Sequence, residues 1–125
     1  ARKTLEKLRK MGIKLGILTR NRRENAIAVL KKHDLEFDAI LGREDGPAKP
    51  EAHGVLRLCG QFGVPAEQAM VVGDYVYDLM SAHAAGAVAV LLANHRRADE
   101  FAEHADFTVE TIEQILQVID KKKNG

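Results

Sequence analysis

Three short stretches carry residue types that chemistry needs. Ile17-Leu18-Thr19-Arg20-Asn21 places a hydroxyl directly behind an apolar run. Lys49-Pro50 places an ammonium at the expected start of a helix. Val71-Val72-Gly73-Asp74-Tyr75-Val76-Tyr77-Asp78 places two carboxylates behind another apolar run. Hydroxyl and ammonium take phosphate oxygens, and hard carboxylate oxygens take Mg²⁺. The set is therefore an inventory for holding a phosphate beside a divalent cation, with backbone N–H groups at helix starts after Asn21 and Pro50 as further donors. Singly, each residue has a plainer reading: Thr19 as a helix cap, Lys49 as a solvated loop lysine, Asp78 as a capping or orienting group. Asp74 is sharper, because a carboxylate following Gly73 must leave a buried strand and face its rim. The order of the four raises them together.

These residues need elements to hold them. Helix periodicity is expected over residues 3–11 (Leu5, Leu8, Met11, stopped at Gly12), 22–33 (Ala26, Ile27, Leu30), 51–62 (Val55, Leu58, Cys59, Phe62), 76–85 (Leu79, Met80, His83), 96–103 and 111–121 (Ile112, Ile115, Leu116, Ile119). Short apolar runs at 13–18, 37–41, 69–72 and 87–92 read as buried strands, and 106–109 as a short edge strand. Strand alternating with helix means an α/β fold with a parallel sheet covered on both faces. In such a sheet ligands bind at the carboxyl ends of the strands, where Thr19, Lys49, Asp74 and Asp78 are all expected. The loop 42–50 is the longest irregular stretch, and Lys121-Lys122-Lys123-Asn124-Gly125 is expected to fray.

Composition narrows the classes. The chain has 125 residues, 46% of them hydrophobic, with a net charge of +1 and a single cysteine. That fits one domain, residues 1–125, and argues against disorder. Near-neutral charge gives no reason to expect nucleic acid or an anionic membrane as partner. Cys59 alone excludes an internal disulfide and a multi-cysteine zinc site, and reads as a small buried apolar residue. With no spanning segment and no apolar leader at the start, a reducing cytoplasm is the expected compartment. The five histidines show no metal-binding spacing; His83 reads as a packed core residue, and His95-Arg96-Arg97 as a solvated helix start on the rim side.

The ordered set resembles the C-terminal part of the haloacid dehalogenase (HAD) superfamily of hydrolases. Ile17 to Asn21 resembles its second motif, Lys49-Pro50 its third, and Val71 to Asp78 its fourth, the GDxxxD form. Gly63-Val64-Pro65-Ala66-Glu67-Gln68-Ala69 and Ala82-His83-Ala84-Ala85-Gly86 resemble the phosphoglycolate-phosphatase-like branch. Ala52 stands where many relatives have a second proline, and Tyr75 where many have Ser. The resemblance spans residues 3–119. It implies a Rossmann-like three-layer α/β/α core with a parallel sheet, and Mg²⁺-dependent hydrolysis of a small phosphorylated metabolite through an aspartyl-phosphate. It implies that Thr19 bonds the transferring phosphoryl group with Arg20 and Asn21 alongside. Lys49 would neutralise charge, and Asp74 and Asp78 would bind or orient Mg²⁺.

The family's first motif, DxDxT/V, supplies the aspartate nucleophile and acid/base and ends the first, central strand. Here the first aspartate is Asp34, already beyond the second motif. The nucleophile has no counterpart, nor does the cap domain, so the chain reads as a family member cut just after its cap. By resemblance the first-motif strand belongs between those at 13–18 and 69–72, whose separation would then be about 9–10 Å. Expected consequences are strand donation from another chain, self-association, or a rearranged sheet. The competing reading is a non-catalytic HAD-like module that binds phosphate or a partner. A receiver domain is disfavoured by the order Thr, Lys, Asp, Asp, and a dinucleotide fold by the lack of G-x-G-x-x-G after any strand.

Overall fold

The structure, a computed structural model, describes residues 2–19, 21–45, 52–73, 76–93 and 101–124, the last four as backbone only. Its elements are α1 (Arg2–Lys10), β1 (Gly16–Leu18), α2 (Arg23–Lys32), β2 (Ala39–Leu41), α3 (His53–Phe62), β3 (Met70–Gly73), α4 (Val76–Ala85), β4 (Val88–Leu92), β5 (Phe107–Val109) and α5 (Ile115–Asn124). The order is the expected α/β alternation, and every strand pair is parallel. The expected helix over 96–103 falls largely outside the described residues. α5 runs to Asn124, through the stretch expected to fray, and is preceded by a 3₁₀ turn, Ile112–Gln114. Thr111 and Gln114 form a reciprocal capping box there, satisfying backbone donors that the helix start leaves unpaired.

The strands are divided between two sheets: β1–β2, and β3–β4–β5. Among the described residues no strand joins them, and β1 and β3 are not paired with each other. β4 is the middle strand of its sheet and its residues alternate between two cores. Ala89 and Leu91 face Val55 and Cys59 of α3 and Leu79 and Ala82 of α4. Val90 faces Val109 of β5 and Ile115 and Val118 of α5. Helices therefore cover both faces, which is why Val88-Ala89-Val90-Leu91-Leu92 is apolar throughout rather than alternating. Leu18 of β1 packs against the first of these cores, so the two sheets share it.

Two aspartates set the starts of the ladders. Asp38 accepts the Leu15 N–H on Oδ2 (2.7 Å) while its own N–H donates to Leu15 O, and it is ion-paired with Arg9 (3.2 Å). Asp106 repeats the arrangement with Ala89 (2.8 Å). Each carboxylate satisfies a strand-start donor, which is why the β1 and β2 ladder is shorter than the apolar runs at 13–18 and 37–41.

One core assignment is corrected. His83 is exposed, and its Nε2 donates to the His104 carbonyl oxygen (2.6 Å). The buried residues of α4 include Leu79 and Ala82, both fully enclosed, while Met80 is 41% exposed. The helix turns Leu79 and Ala82 to α3 and β4, and His83 falls outside that face.

Candidate functional site

Thr19 stands one residue past β1. Its N–H donates to Leu41 O (3.0 Å), carrying the β1–β2 ladder one step beyond the strand. Its Oγ1 accepts the Asn21 N–H (3.1 Å). That bond holds the side chain against its own backbone and leaves the hydroxyl proton to donate elsewhere. Asn21 is exposed and Thr19 half-buried, so the turn opens outward at the carboxyl end of β1.

Asp78 lies at the carboxyl end of β3. It is half-buried in the first turn of α4, where a negative charge suits the helix dipole. A Cβ at Gly73 would collide with the Asp78 Cβ and Oδ2. The carboxylate therefore rests on the backbone of the strand end, and glycine at 73 is what permits it. Lys49, Asp74, Arg20 and Tyr75 lie outside the described residues, as do His95-Arg96-Arg97. Of the expected set, the structure describes Thr19, Asn21 and Asp78, each just past the carboxyl end of its strand.

Gly54 lies against the Leu18 side chain, and Leu58 and Phe62 lie against Gly16. α3 thus runs antiparallel to β1, with its first turn at the Thr19 end. Burial holds the thiol of Cys59, on the inner side of α3, above its ordinary value, as befits a packing residue.

Sequence reasoning missed the turn that leaves β2. Arg43–Asp45 is a 3₁₀ turn folded onto the start of α2. Glu44 Oε1 accepts the Arg23 N–H (2.8 Å). Asp45 accepts the Gly42 N–H on Oδ2 (2.7 Å) and Arg23 Nη1 on Oδ1 (3.0 Å), with its side chain only 10% exposed. Arg57 of α3 donates to Asp45 O (2.7 Å), and the Arg43 N–H donates to Asn21 O (2.9 Å). A Cβ at Gly42 would strike the Arg23 nitrogen and the Glu44 carboxylate. The Arg23 N–H, followed by Glu44's own N–H, holds the Glu44 carboxyl below its ordinary value. The available signal was Gly42-Arg43-Glu44-Asp45 itself: glycine and acid behind an apolar strand, as in Gly73-Asp74.

Asp78 offers hard oxygen donors at a strand end, and this donor chemistry suits Mg²⁺. Among the described residues no group of three or more His, Cys, Asp or Glu side chains converges as a metal site. A separate hollow lined by Arg9, Gly12, Ile13, Lys14 and Asp38 lies at the amino ends of β1 and β2, away from these residues.

The family model of haloacid dehalogenase-like hydrolases matches residues 1–92. A phosphoglycolate phosphatase of Mannheimia succiniciproducens is 32% identical over 126 residues, covering 94% of this chain and 55% of that protein. A glyceraldehyde 3-phosphate phosphatase of Pyrococcus furiosus is 30% identical over 132 residues, covering 100% of this chain and 55% of the relative. The crystal structure of a HAD-superfamily hydrolase, subfamily IA, from Geobacter sulfurreducens superposes with a TM-score of 0.77 at 27% identity, over 94% of this chain and 57% of that one. The chain thus spans about half the length of the relatives it matches. With a family match over most of its length and a fold shared along nearly all of it, the chain belongs to the haloacid dehalogenase-like hydrolases, in their phosphoglycolate-phosphatase-like branch.

Proposed function

We propose that this chain supplies the phosphate- and metal-binding part of a Mg²⁺-dependent phosphomonoester hydrolase acting on a small phosphorylated metabolite in the cytoplasm. The observation that carries the reading is the state of Thr19: its oxygen is set by the Asn21 N–H, a bond that does not use the hydroxyl's donor capacity. In this reading Thr19 donates to an oxygen of the transferring phosphoryl group, with Arg20 and the exposed Asn21 alongside. Lys49 neutralises charge on the same group. Asp74 and Asp78 hold the cation, Asp78 kept in place by its seat on Gly73. Bound Mg²⁺ supplies positive charge to the phosphate oxygens.

The reaction is a two-step transfer. A carboxylate attacks phosphorus and forms an O–P bond as the ester P–O bond breaks, the departing alkoxide taking a proton. Water then cleaves the acyl phosphate and releases inorganic phosphate. By resemblance the attacking carboxylate ends a strand ahead of Thr19, where these 125 residues hold only Glu6, in a helix, and no aspartate.

The same reading assigns a partner to the sheet. The Thr19 N–H donates to Leu41 O and the Val88 N–H to Ala69 O. The parallel pattern then turns the N–H groups of Gly16 and Leu18 away from β2, and those of Met70 and Val72 away from β4. A strand donated between β1 and β3, by another part of a longer protein or by another copy, would pair both rows and bring a carboxylate to the rim.

An assay with p-nitrophenyl phosphate and Mg²⁺ tests the proposal. The 125-residue chain should give no turnover above a protein-free control. A longer form carrying a DxD strand ahead of Ala1 should hydrolyse the ester and lose activity on Asp74→Ala. Turnover by the 125-residue chain that Asp74→Ala abolishes would refute this account of the nucleophile. A longer form that binds phosphate without turnover would establish the non-catalytic module instead.

A further inference from the structure

We propose that Asp45, with Glu44, is a positioning residue for the turn Thr19–Asn21. The inference rests on the reading of that turn as the phosphate site. Asp45 places its two carboxylate oxygens on two different segments, one on the Gly42 N–H at the exit of β2 and one on the Arg23 guanidinium at the start of α2. Glu44 takes the Arg23 N–H from the same side, replacing a cap that α2 lacks, since Arg22 makes no side-chain cap bond. Arg57 ties the Asp45 carbonyl to α3. The Arg43 N–H bonds Asn21 O within the turn itself.

Thr19 and Asn21 are thus each held from outside. β2 holds Thr19 through Leu41 O, and the segment 42–45 holds Asn21 and Arg23. Asn21 in turn sets Thr19 Oγ1. The two donors lie on different oxygens, so an amide in place of the carboxylate would set its NH₂ against one of them. Buried to all but 10%, the Asp45 side chain exchanges these bonds for little water. A phosphate donor misplaced by a fraction of an ångström loses much of its hydrogen bond, so the order of this turn reaches the ligand directly.

The test uses the whole 125-residue chain and inorganic phosphate, with the Asn21 amide resonance as reporter and a thermal melt of each variant. The wild type should show a saturable shift of Asn21, and Thr19→Ala should remove it. Asp45→Asn, which keeps the shape, should weaken phosphate binding about five- to tenfold, the order expected for one displaced hydrogen bond. Glu44→Ala, at an exposed position, should weaken it in the same direction and guards against Asp45→Asn failing to fold. A merely structural Asp45 would lower Tm and leave phosphate affinity unchanged, and that result overturns the inference while Thr19→Ala still upholds the site. No phosphate response in the wild type overturns both.

Discussion

Gly73 and Asp78 work as a pair at the residue scale: a hydrogen at one position is the room for a carboxylate at the other. Gly73→Ala should therefore push Asp78 off the strand end. The expected cost is about 1–3 kcal/mol in a urea titration, as for other forced overpacking. Mg²⁺ affinity, read by calorimetry, should fall together with stability. Unchanged Mg²⁺ affinity in a destabilised Gly73→Ala chain would take Asp78 out of the cation site. Cys59 is the opposite kind of residue. Its thiol is buried and held in the protonated form, so alkylation by iodoacetamide at pH 8 should be slow in the folded chain and rapid in denaturant.

At the scale of elements, α4 is the joint between the rim and the core. Its first turn carries Asp78, and its inner residues Leu79 and Ala82 are fully enclosed against α3 and β4. Leu79→Ala should cost about 2–5 kcal/mol by urea denaturation, since a fully buried leucine leaves a cavity that the packed neighbours close only in part. The start of α2 gives a pH signature. The Glu44 carboxyl sits below its ordinary value of 4.5 in the folded chain, chiefly through the Arg23 N–H. Its contribution to stability is therefore whole above about 4.5 and is lost as pH falls through the lower folded value. Wild type and Glu44→Ala should differ in Tm at pH 7 and converge in acid, below the lowered folded value. The difference should be small and shrink in salt, because the group is exposed.

For the whole molecule the defining feature is that, among the described residues, no strand pairs with the outer edges of β1 and β3. β3 is half-buried along its full length, whereas the middle of β4 is closed to solvent. In native-state hydrogen exchange, the amides of Val90 and Leu91 should be among the slowest. Within β3, Met70 and Val72 should exchange much faster than Val71 and Gly73, because only the latter face β4. Uniform protection along β3 would mean that its outer edge is already paired in solution.

The alternation of apolar runs with 3.6-residue periodicity was enough to read the α/β order, the parallel strands and the helix 76–85 to its ends, because period and burial are properties of contiguous residues. The placement of Thr19 and Asp78 past strand ends followed from the same reading, since a polar residue behind a buried strand has only the rim to occupy. What tertiary structure alone decided depends on residues distant in sequence. The carboxylates of Asp38 and Asp106 cap strands 23 and 17 positions away and set where the ladders begin. His83 is turned outward because α3 and β4, not the periodicity of α4, choose which side is buried. Asp45 reaches Arg23 across 22 positions, a bond no local pattern encodes. The division into two sheets is likewise a matter of which backbone edges find partners, and hydrogen-bond pairing between strands is decided only when the chain is folded.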